Sequence, residues 1–140
     1  ICMLGNDELI VCDRENHRVQ IFSTEGQFIK EWHVHKATAV TTDHKGNIFI
    51  AEQGPPPVQY GVKNLGHSVG IWDRDGNLLQ RLGAELPGEE PDQFLWPHSI
   101  SVDSKGRIFV AEVSYVEVGR TLNPPREMTS FRVWEPLSNN

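Results

Sequence analysis

Glu8-Leu9-Ile10-Val11-Cys12-Asp13 is echoed by Asn47-Ile48-Phe49-Ile50-Ala51-Glu52 and again by Arg107-Ile108-Phe109-Val110-Ala111-Glu112. Each is a short β-branched and aromatic run that closes on an acid, which is the composition of a strand. Val19-Gln20-Ile21-Phe22, continuing through Gly26 to Trp32, returns fifty residues later as Val69-Gly70-Ile71-Trp72 through Gly76 to Leu82. Phe131-Arg132-Val133-Trp134 is a third copy. Strand-turn-strand units repeated at this scale cannot bury their own faces and stack on one another, which predicts an all-β protein of the β-propeller kind.

A propeller blade takes roughly 40–45 residues and a closed ring at least four blades. The 140 residues therefore predict a segment of about three blades belonging to a larger ring. The expected boundaries are an incomplete blade over 1–35, a complete blade with a long loop over 36–96, and an incomplete blade over 97–140. The first blade is expected to have lost most or all of its inner strand, and the third to lack its outer one. Asp75-Gly76 is read as a hairpin signal, and little in the sequence suggests helix. With two blade faces uncovered, the segment alone is expected to be marginally stable.

Composition excludes several classes. No apolar run is long enough to span a membrane, so a soluble protein without a membrane partner is expected. Formal net charge is −6 and the basic residues are scattered, against the clustered positive face that a nucleic-acid partner requires. Two cysteines, Cys2 and Cys12, make no disulfide framework and read as small buried thiols.

An up-and-down blade places its turns alternately on two rims. One rim carries the short turns 24–26, 44–46, 74–76 and 104–106, and the other the long connections 53–67, 83–98 and 113–128. Insertions that collect on one face build binding sites, so Arg14, the Gln53–His67 loop, His98 and the Val113–Met128 loop are expected to share the functional face. His98 opens an inner strand in Trp96-Pro97-His98-Ser99, where residues of different blades converge. It reads either as a metal ligand or as a hydrogen-bonded rim histidine, and its counterpart in the middle blade is Thr38. His33-x-His35 lies beside an outer strand without metal-ligand spacing. In Asp13-Arg14-Glu15-Asn16-His17-Arg18, Asp13 and Asn16 suit a pinned strand connection and Arg18 suits an acid on the neighbouring blade. Arg14 has no such duty, since Gln53 and Val113 hold the matching places. It reads as a hydrogen-bonding group for a substrate carboxylate or carbonyl, or as a surface ion pair.

Residues 13–22 meet the pattern Asp-x-x-Asn-x-Arg-Val-x-x-Phe, and in this the chain resembles the NHL-repeat propellers. With Cys12-Asp13-Arg14-Glu15-Asn16 and Pro97-His98 it is most similar, within that group, to the peptidyl-α-hydroxyglycine amidating lyases and their bacterial relatives. The resemblance implies a six-bladed ring, zinc held by histidines on alternate blades with His98 as one of them, and Arg14 as the catalytic arginine. The implied activity is carbon–nitrogen lysis, in which a hemiaminal collapses to an amide and glyoxylate in the complete protein, with the segment alone inactive. Ser99 stands where the family has an Asp associated with calcium, and Trp96 where it has a substrate-contacting Met. The family's catalytic tyrosine has no counterpart here, and Tyr60 and Tyr115 read as loop packing. The partner is then a small peptide-like substrate. The alternative is a non-catalytic propeller that binds a protein or peptide on its long-loop face, where Pro55-Pro56-Pro57 and Pro124-Pro125 stiffen the loops.

Overall fold

The computed structural model describes residues 1–136, so the last four residues of the segment expected over 97–140 lie outside the described residues. Among the described residues eleven strands form three antiparallel sheets, each a blade. The first holds β1 (Cys2–Gly5), β2 (Glu8–Asp13), β3 (Arg18–Ser23) and β4 (Phe28–His33). The second holds β5 (Ala37–Thr42), β6 (Ile48–Glu52), β7 (Ser68–Trp72) and β8 (Leu78–Leu82). The third holds β9 (Pro97–Val102), β10 (Ile108–Glu112) and β11 (Phe131–Trp134). Neighbours in each sheet are neighbours in sequence, so the topology is the up-and-down meander expected. The inner strand of the first blade, expected to be mostly or wholly lost, is present as four residues. Cys2-Met3-Leu4-Gly5 hides this by having no β-branched residue, yet Cys2 pairs with Ile10 and Met3 with Leu9.

Strand β6 shows how stacking makes the core. All five of its residues are buried, because alternate side chains leave opposite faces of a sheet and each face has a blade against it. Ile48 and Ile50 join Ile10, Val19, Ile21 and Trp72 in the core between the first and second blades. Phe49 joins Val69, Phe94, Ile108 and Val110 between the second and third. The equivalent β10 has one such neighbour. Ile108 and Val110 are buried against the second blade, while Phe131 and Val133 of β11 stand 59% and 44% exposed on the side away from it. Ile100 and Val102 of the inner strand β9 are half-buried.

On the short-turn rim, the turns 24–26, 44–46, 74–76 and 104–106 share one construction. Asp43, Asp73 and Asp103 each accept two backbone N–H bonds through Oδ1, from the residues two and four places on, at 2.8–2.9 Å. Ser23 does the same through Oγ. Each turn then closes on a glycine at φ +79° to +87°, where a Cβ would be strained. The hairpin signal is thus Asp73-x-x-Gly76 rather than Asp75-Gly76 alone. Cys2 and Cys12 are free, half-buried and packed on the first core, and burial pushes the Cys12 thiol up to about 11.

Candidate functional site

The long-loop rim is one connected structure. In the loop after β6, Gly61 N–H donates to Glu85 O in the loop after β8 at 3.4 Å. That second loop is tied to the one after β10 by Glu89, which accepts from the Thr129 amide at 2.9 Å and pairs with Arg126 at 2.5 Å. Arg126 and the Thr129 amide hold the Glu89 carboxyl down to about 2. The loop after β10 also contains a single helical turn, α1 (Ser114–Glu117), followed by a 3₁₀ turn, which the sequence reading did not anticipate.

A cleft of about 260 Å³ opens on this rim, lined by Arg14, Glu15, Gln53, Trp96, His98, Val113 and Glu117. Arg14, Gln53, His98 and Val113 come from all three blades, and the sequence placed them on one face. Arg14 is 45% exposed, in the 3₁₀ turn after β2, with its Nε 2.8 Å from Glu15. His98 is exposed on the second residue of β9. Its counterpart Thr38 bridges the blades, with its hydroxyl 3.1 Å from both Ala51 O and Pro97 O.

What fixes the inner end of this cleft is Glu112, a residue whose role the sequence did not reveal. Its carboxylate is fully buried. Oε2 accepts the backbone N–H groups of Leu95 and Trp96, and Oε1 accepts Arg132 Nε at 2.7 Å. Arg132 in turn donates to Glu90 O and Gly88 O, which ties the loop before β9 to β11. In the second blade the matching Glu52 pairs with Arg81 at 3.0 Å, yet burial outweighs that pairing and pushes its carboxyl up to about 7.

Two local readings need correction. Arg18 pairs with Asp13 and Glu31 of its own blade at 2.8 and 3.0 Å, not with an acid on a neighbour, because Asp13 stands directly opposite it in the sheet. Asn16 pins the connection through the Asp13 carboxylate, at 2.9 Å, and not through the backbone groups that a side-chain cap of this connection predicts. The histidines near the first outer strand form a stack: His17 lies 4.8 Å from His35 and 6.3 Å from His33, centroid to centroid.

The donor set can be tested for the metal that the resemblance implies. A catalytic zinc takes three protein ligands. Among the described residues no three His, Cys, Asp or Glu side chains converge to hold a metal, and the stacked histidines present faces, not nitrogens, to one another. These residues do not by themselves make a zinc centre.

Residues 1–22 match the family model described as NHL repeat. The chain is 24% identical over 127 residues to "Protein brain tumor" of Drosophila melanogaster, across 84% of this chain and 11% of that protein. It is also 24% identical over 127 residues to "B-box type zinc finger protein ncl-1" of Caenorhabditis elegans, across 84% of this chain and 13% of that one. The chain thus spans about an eighth of the length of these relatives or less. Among solved structures, the extracellular domain of the hybrid two component system BT3049 of B. thetaiotaomicron is similar at 14% identity, with a TM-score of 0.44, across 74% of this chain and 14% of that one. An NHL repeat at the N-terminal end and three stacked antiparallel blades describe one architecture. No helix among the described residues is long and apolar enough to cross a membrane.

Proposed function

We propose that this chain supplies part of a protein- or peptide-binding face of an NHL-type propeller, on the long-loop rim. One observation carries the reading: three loops hydrogen-bonded to one another each present exposed apolar side chains, on the rim that also carries the cleft. Val58 and Val62 (89% and 48% exposed) come from the first loop, Leu86 (53%) from the second, and Tyr115 and Val116 (42% and 44%) from the third. Apolar groups held out on a stiffened, polar rim are the anchors on which binding energy concentrates. Peptides selected from a random displayed library against the protein are expected to bind Leu86→Asp and Tyr115→Ala at least about tenfold more weakly, a loss of about 1.4 kcal/mol. Both side chains are exposed, so melting is expected to stay within about 0.5 kcal/mol of the parent. Unchanged affinity in both variants would remove the rim from the interface.

A second reading has its own support, because Arg14 and His98 do line one cleft. It is the amidating-lyase reading, in which Arg14 holds the carboxylate or carbonyl end of a peptidyl-α-hydroxyglycine by charge-assisted hydrogen bonds. Zinc at His98 then needs ligands beyond those described here, from the six-bladed ring that the resemblance implies. On this reading the complete protein releases glyoxylate from such a substrate, and Arg14→Ala lowers that turnover by roughly 10²-fold. Absence of glyoxylate with the unaltered protein ends the reading and leaves the binding face in its place.

A further inference from the structure

His67 stands at the end of the loop that begins at Gln53, and it is 1% exposed. Its Nδ1 accepts the Gly54 N–H at 2.8 Å, and its Nε2 has no hydrogen-bond partner among the described residues. Its ring packs 4.9 Å from Trp96, a wall of the cleft, and edge-on against Tyr60 at 6.3 Å. Gly54 is enclosed there: a Cβ would stand 2.7 Å from His67 Cδ2 and 2.8 Å from Nε2. His35, whose charge acts on His67, stacks on His17. His17 Nδ1 in turn accepts the Lys36 N–H at 3.4 Å. One end of the loop is therefore joined to the other through a ring nitrogen that holds the Gly54 bond only while unprotonated.

We propose that neutral His67 is a latch that positions the Gln53–Gly66 loop against the cleft, and that acidification releases this loop. The groups facing the latch favour release. His35, with His17, His33 and Lys36 behind it, contributes only positive charge on protonation, and Tyr60 is neutral in this range. The Glu52–Arg81 pair reaches Ser68, next to His67, through Arg81 at 2.7 Å. Burial first, and the His35 charge second, hold the His67 imidazole down to about 4 from 6.5. His35 is lowered in the same direction, chiefly by its own burial. A group with a depressed folded pKa withholds a proton that the opened loop takes up. The latch is therefore at full strength above 6.5 and weakens as pH falls toward 4.

The test uses amide hydrogen exchange of the intact protein without any ligand, so that its outcome does not depend on whether the rim binds peptides. Between pH 7 and pH 4, after correction for intrinsic exchange, the 53–66 amides are expected to open about 10²-fold more often. Amides of β6 should change far less. His67→Asn retains an acceptor near the Nδ1 position and does not titrate, so it should keep the loop protected and abolish the pH dependence. Gly54→Ala should open the loop at every pH. Equal loop protection at pH 4 and pH 7 in the parent protein, or an undiminished pH dependence in His67→Asn, overturns the proposal.

Discussion

Glu112→Ala is expected to lower stability by about 3–5 kcal/mol, the scale for removing one partner of a buried ion pair. The loss has three sources. Arg132, itself 9% exposed, keeps its charge without the carboxylate 2.7 Å away. The Leu95 and Trp96 amides lose the Oε2 acceptor, and unsatisfied buried donors cost about 1–3 kcal/mol each. Because those amides lead directly into β9, the orientation of Trp96 and His98 should loosen as well. Urea denaturation measures the first effect and Trp96 amide exchange the second. Glu112→Gln keeps one acceptor oxygen and should fall between alanine and the parent. A Glu112→Ala protein within about 1 kcal/mol of the parent would show that the carboxylate is not what closes the loop.

Phe94→Ala should cost about 3–5 kcal/mol, as large-to-small changes in a packed core do. Phe94 is fully buried in the core between the second and third blades. It stacks on Trp134 at 5.4 Å and lies 6.0 Å beneath the Arg132 guanidinium. The residue belongs to a loop, not a strand, so this core depends on a connection for its largest fully buried side chain. Since Arg132 touches both Phe94 and Glu112, the double variant is expected to lose less than the sum of the two single losses. Strict additivity, measured by the same denaturation, would count against a shared role for Arg132.

The strands were legible because the signal that marks them is the force that packs them. Ile48-Phe49-Ile50 is apolar on both sides since a blade lies against each face, and the sequence shows both sides at once. The rim assignment followed from loop length alone, which is why Arg14, Gln53, His98 and Val113 were placed together before any distance was known. The inner strand Cys2–Gly5 escaped notice because pairing and neighbouring blades, not propensity, hold it extended. Arg18 was assigned to the wrong partner because strand register, which sets Asp13 opposite it, is invisible in a residue pattern. The Glu112 clamp and the Gly54–His67 latch lay further out of reach. Each depends on backbone groups of a loop meeting a side chain 13 to 17 positions away, and backbone groups leave no trace in composition.

The uniform Asp- and Ser-capped turns set strand register at one rim, and the other rim carries none of that burden. A single added residue between Asp73 and Asn77 would invert which side chains of β8 face its neighbours, so the capped rim does not tolerate a change of length. The long-loop rim can grow or shrink with little entropic cost per residue. Such a division lets a lineage exchange recognition loops while the blades beneath them keep one pattern, and it makes the same rim the natural place to graft a foreign peptide.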